Sequence, residues 1–166
     1  MILIGNYNSW IKQEWVDYLT NNDGLHIPRD FPPYKLENSA LPETGWDLKS
    51  VYSILYSTDN TDIVIDHLPW TNSSDIKFYW WVNKLIPSMV YPKIRDSTYL
   101  YDTCCRYWIP LQDYEQGHIF VYEDTLMTGY KRGDVYMYTD PTAYVYAANA
   151  GRNMLLHLNF TTNENK

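Results

Sequence analysis

The stretch that decides the fold is Cys104-Cys105-Arg106-Tyr107-Trp108-Ile109-Pro110-Leu111. Cys105, Tyr107, Ile109 and Leu111 alternate with Cys104, Arg106, Trp108 and Pro110. A period of two belongs to a β-strand whose side chains go alternately to its two faces. Gln112 to Gly117 supplies a turn, and short runs follow at even spacing over 119–122, 126–130, 134–138 and 143–147. Asn149-Ala150-Gly151 then turns the chain into a last run over 154–160. Short strands punctuated so regularly predict a mainly β domain, a sandwich or jelly-roll barrel, with helices packed outside one sheet.

Upstream of this series the pattern differs. Trp10, Ile11, Trp15, Tyr18 and Leu19 recur at helical spacing and predict an amphipathic helix over 8–19. The segment 25–46 holds four of the nine prolines and reads as a long ordered loop. Residues 50–56 suit either a short helix or a strand, and Ile63 to Ile65 suits a short buried strand. Ser74 and Asp75 can cap a second helix, with Ile76, Tyr79, Trp80 and Ile86 on one face and Pro87 ending it. The expected organisation is one domain over 1–166, helical and looped to residue 90, with jelly-roll strands over 91–161.

Composition narrows the function. The chain has 166 residues, 17% of them aromatic, including 17 Tyr and 7 Trp, which excludes a disordered tail. A net charge of -7 is the wrong sign for gripping phosphates, so nucleic acid is not an expected partner. The apolar start Met1 to Ile4 lacks a basic head, and no run reaches membrane-spanning length, so neither secretion by a signal peptide nor a membrane partner is expected. The expected location is the cytoplasm of the producing cell. Adjacent Cys104 and Cys105 cannot staple distant segments and read as buried strand thiols.

Motifs for chemistry are few. There is no phosphate-binding glycine loop and no Gly-x-Ser-x-Gly elbow. None of His26, His67, His118 and His157 is followed two places on by a carboxylate. His118 opens a strand after Gly117, where a ring nitrogen can bond turn carbonyls. His157 falls on the opposite face from Met154, Leu156 and Leu158, where it could meet a ligand or water, and water is the preferred reading. Glu123, Asp124 and Asp140 sit in turn compositions.

Four segments carry a resemblance: Arg106 to Leu111, Gly117-His118-Ile119-Phe120, Lys131-Arg132-Gly133-Asp134-Val135-Tyr136, and Ala148-Asn149-Ala150-Gly151-Arg152. In order and spacing the region 91–160 resembles the iron and 2-oxoglutarate dependent oxygenases, especially the small aspartyl/asparaginyl- and prolyl-hydroxylase-like members often encoded by bacteriophages. The resemblance implies a double-stranded β-helix, a jelly roll with a pocket between its two sheets. It also implies an iron site built from a His-x-Asp/Glu pair and a distant second His. Here the pair would fall at Ile94 and Asp96, and the second His near Tyr144, Val145 or Tyr146, so Asp96 is a remnant metal ligand and both imidazoles are lost. Arg152 corresponds to the residue that takes the distal carboxylate of 2-oxoglutarate.

The expectation is therefore a non-catalytic oxygenase-like roll with no cofactor, acting in binding or assembly, with a protein partner, a virion or a glycan as the thing bound. Tyr99, Tyr101, Tyr136, Tyr138, Tyr144, Tyr146 and His118 are the candidate lining of the former pocket. The alternatives are an active Fe(II)/2-oxoglutarate dioxygenase with unusual ligands, for example Asp96 with His118 or His157, and an unrelated carbohydrate- or receptor-binding sandwich.

Overall fold

The computed structural model describes residues 1–21, 51–57, 68–71, 78–95, 105–140 and 142–162. Two antiparallel sheets face each other. The larger contains β1 (Ile2–Asn6), β8 (Asp134–Met137), β5 (Cys105–Pro110), β10 (Leu155–Thr162), β3 (Phe78–Leu85) and β2 (Val51–Ser57), in that order. The smaller runs β4 (Val90–Arg95), β9 (Tyr144–Asn149), β6 (His118–Tyr122) and β7 (Thr125–Leu126). Strands adjacent in space are mostly distant in sequence, as β10 between β5 and β3 illustrates, and this interleaving makes the pair of sheets a jelly roll. The expected mainly β fold with helical structure outside one sheet is present.

The central strands of the larger sheet are covered on both faces, so β5 and β10 are wholly buried. Tyr107, Ile109, Val82, Leu156, Leu158 and Phe160 face outward into an apolar layer closed by Ile11, Trp10, Trp15 and Trp70. Trp70 meets Tyr7, Trp10 and Phe160 edge-on at 5.1–5.6 Å between ring centroids, an arrangement that suits aromatic quadrupoles. The other face packs against the smaller sheet: Leu85, Trp108 and Leu155 meet Phe120, Tyr122, Val145 and Ala147. Trp108 lies flat on Phe120, with centroids 4.3 Å apart.

The outer layer is a 3-10 turn, Asn8–Trp10, followed by helix α1 (Gln13–Asn21). Two devices dock it. Arg132 donates to the Gln13 side chain at 2.6 Å and to the Ile11 carbonyl at 3.2 Å. Lys84, buried on β3, donates to the Thr20 carbonyl at 2.7 Å, near the end of α1 where orphan carbonyls gather. Gly133 is required between these elements: its φ is +83°, and a Cβ there would lie 2.5 Å from the Asn8 backbone.

The described residues correct the reading of the first ninety positions. The second expected helix is strand β3 instead. Trp80, Val82 and Lys84 fall on one face and Asn83 and Leu85 on the other, so the segment alternates, and its aromatic and β-branched content favours a pleated position between two partners. Residues 51–57 are strand β2, and the apolar start contributes Ile2 to Ile4 to strand β1, a strand the helical and looped reading of this part did not contain. Of the 126–130 run only Leu126 is in a strand, the two-residue β7 with Thr125, and the chain turns at Gly129, whose φ is +68°. The expected loop over 25–46 and the strand over 63–65 lie outside the described residues. No helix among the described residues is long and apolar enough to cross a membrane.

Candidate functional site

The polar residues of the roll interior come from two neighbouring central strands and β3. On β10, Leu156, Leu158 and Phe160 point to the outer layer, so His157, Asn159 and Thr161 point between the sheets. On β5 the same alternation sends Arg106 and Trp108 inward. Antiparallel register sets Asn159 opposite Trp108 and Thr161 opposite Arg106, while His157 pairs with Asn83 on the other side. Side chains directly opposite are close enough to share a ligand.

His157 is the centre of this group. It is 0% exposed, and its ring lies 5.2 Å from Phe120 of the facing sheet and 5.8 Å from Trp108. Burial, with the Arg106 charge adding to it, lowers its pKa to about 3, so the ring is neutral at physiological pH. The Asn83 amide nitrogen lies 3.0 Å from Nε2. An amide N–H can only donate, so Nε2 accepts and the ring proton sits on Nδ1. Nδ1 has no acceptor among the described residues, and neither have Trp108 Nε1, Asn159 Nδ2 and Thr161 Oγ1. A buried donor without an acceptor costs about 1–3 kcal/mol, so four on one face of two adjacent strands is an expensive arrangement. Arg106 adds a guanidinium, held 4.6 Å over the Tyr138 ring.

The candidates named from sequence are distributed around this centre rather than gathered in it. Tyr138 is inside the roll, 1% exposed, and meets Tyr122 edge-on. Tyr136 packs beside Trp108, and its hydroxyl donates to Asp134 at 3.3 Å; burial first, and then the Asp134 charge, pushes its pKa up to about 12. Tyr144 is 44% exposed with Lys93 over its ring, and Tyr146 shares its face, because Val145 and Ala147 take the inward positions of β9. Arg152 is exposed on the turn after β9. Asp96, Tyr99 and Tyr101 lie outside the described residues. His118 is buried at the end of the roll, with Nε2 3.2 Å from the Asn153 carbonyl and Nδ1 3.4 Å from the Gln112 amide, so it ties down the turn after β9.

The sequence reading of His157 as water-facing is corrected. The face opposite Leu156 and Leu158 is indeed the other face of the strand, but the smaller sheet covers it. Its signal was present in Leu155-Leu156-His157-Leu158-Asn159-Phe160-Thr161, where polar residues alternate with apolar ones on a strand too central to have a wet side.

Iron does not fit the interior group. Among the described residues no three His, Cys, Asp or Glu side chains come together. His157 is an isolated imidazole, already accepting from Asn83 at Nε2, and a guanidinium close enough to lower its pKa opposes a cation. The remaining neighbours are neutral donors, unlike the imidazole and carboxylate set that holds iron(II).

The two facing sheets and their strand order define a double-stranded β-helix, or jelly roll. No protein-family model matches the sequence, and no curated protein matches it. Among solved structures the chain is similar to a Cupin_2 domain of an XRE family transcriptional regulator from Enterobacter cloacae, at 8% identity and a TM-score of 0.43 over 66% of this chain and 94% of that one. It is also similar to the cupin domain of Schizosaccharomyces pombe Cnp3, at 14% identity and a TM-score of 0.41 over 73% and 74%. A third is a predicted oxalate decarboxylase from Thermotoga maritima, at 13% identity and a TM-score of 0.37 over 52% and 78%. These likenesses concern the path of the chain and bring no activity with them.

Proposed function

We propose that the protein is a non-catalytic double-stranded β-helix that works as a binding or assembly module. The observation that carries this reading is the donor set at the centre of the roll: Asn83, Arg106, Trp108, His157, Asn159 and Thr161 bring N–H and O–H groups between the sheets, a set that suits binding rather than metal-based oxidation. Both ring nitrogens of His118 are engaged in holding a turn, which argues against its recruitment as an unusual ligand.

A protein partner is supported by the sheet edges. On β1, at one end of the larger sheet, Ile2 and Leu3 are 51% and 53% exposed, and on β7, at the edge of the smaller sheet, Leu126 is 50% exposed. Apolar side chains on an edge strand invite pairing with another chain. Incorporation into a virion, which the likeness to phage-encoded members suggests, is the assembly form of this reading.

The test is to load the full chain with iron(II) without oxygen, measure bound iron, then add oxygen and 2-oxoglutarate and measure succinate. The expected result is substoichiometric iron and no succinate above a protein-free control. Stoichiometric iron with succinate release would establish the active dioxygenase instead.

A further inference from the structure

We infer that the centre of the roll is a binding site for a small oxyanion, a carboxylate or phosphate, held by His157, Asn159, Thr161 and Trp108 beside the Arg106 guanidinium. The inference rests on the reading of the chain as a binding module and names what its interior binds. Four hydrogen-bond donors, Trp108 Nε1, His157 Nδ1, Asn159 Nδ2 and Thr161 Oγ1, share one face of β5 and β10 with no acceptor among the described residues. The tautomer of His157 is set by Asn83, so its free nitrogen donates rather than accepts. A neutral ring nitrogen, two other N–H donors and a hydroxyl, none with an acceptor among the described residues, have as their common complement a group that only accepts, such as the oxygens of a carboxylate or phosphate. These residues are 0–4% exposed, so the ligand is small enough to be enclosed between the sheets.

Selection for packing alone would favour apolar residues here, because the opposite face of the same strands carries Leu156, Leu158 and Phe160 without difficulty. Unpartnered donors at the centre of a roll, at a cost in stability, call for an explanation, and an enclosed ligand supplies one.

The experiment titrates the full chain with formate, acetate and phosphate at constant ionic strength, chloride being the background anion, and follows the His157 Nδ1–H resonance and tryptophan fluorescence. The expected result is a saturable shift with at least one of the three anions. Thr161→Val, which keeps shape and removes one donor, should bind about tenfold more weakly, the usual loss for a hydrogen bond to a charged group. The same variant should unfold at an equal or higher temperature without anion, an outcome a purely structural role for Thr161 would not give. Asn159→Asp, near-isosteric and negatively charged, should abolish the shift; if it does not fold, Thr161→Val alone decides. Absence of a saturable shift with all three anions, or equal affinity in wild type and Thr161→Val, would overturn the site and leave ordered water as its occupant. Iron-dependent succinate release is read separately and would instead remove the binding-module reading.

Discussion

His157 accepts a hydrogen bond from Asn83 across 3.0 Å inside the roll, and both partners are closed off from water. The pair has a pH signature. The folded-state pKa of His157 is about 3 against an ordinary 6.5, so between these values the unfolded chain binds more protons. Its contribution to stability is complete above pH 6.5 and is lost as pH falls toward 3. Denaturant midpoints measured from pH 7.5 to pH 4 should therefore fall in the wild type and fall less steeply in His157→Gln.

Tyr136 gives the opposite arm. With its phenol pushed up to about 12, the folded state keeps a proton that the unfolded chain releases near pH 10. Stability should fall as pH rises from 10 to 12, and ultraviolet titration of phenolate should show Tyr136→Phe losing one late-ionising group.

Lys84 and Thr20 bind the outer helix to the sheet. Removing that ammonium while keeping the aliphatic stem, as in Lys84→Met, should cost about 1–2 kcal/mol, since the α1 carbonyl loses a charged donor. Urea unfolding gives the magnitude, and faster amide exchange confined to α1 would locate it there.

Gly117 stands where β6 begins, with φ at +100°, and a Cβ would lie 2.5 Å from the Gly151 backbone. Gly117→Ala should cost about 2 kcal/mol or more, because left-handed strain adds to a backbone clash. The loss should appear in urea unfolding together with a changed His118 ring environment, since the clash displaces the turn that His118 ties down.

Most strands from residue 105 onward were legible because they alternate and end in turn residues; the helical spacing of Trp10, Ile11 and Trp15 located the outer layer, although it merged the 3-10 turn Asn8–Trp10 with helix α1, which begins only at Gln13. The β3 segment was not. Trp80, Val82 and Leu85 belong to two different cores, and a strand buried on both faces shows no single polar side, so a chance helical spacing of Tyr79 and Trp80 with Ile76 and Ile86 outweighed the true alternation. The site was hidden for the same reason. Sequence placed His157 on the correct face of β10, but only the facing sheet, through Phe120, makes that face an interior. Tyrosine abundance drew attention to Tyr144 and Tyr146, whereas Asn159 and Thr161 carry no motif and become noticeable only when their hydrogen bonds are sought and not found.

On the proposed reading the roll interior accepts an anion and not a metal cation. The most direct measurement is an anaerobic iron(II) titration of the full chain labelled with 15N at histidine, with the ring nitrogens of His157 observed. The His157 signals should keep their position and width through one equivalent of iron, with Nδ1 protonated throughout. Paramagnetic broadening of His157 that saturates at one equivalent would contradict it.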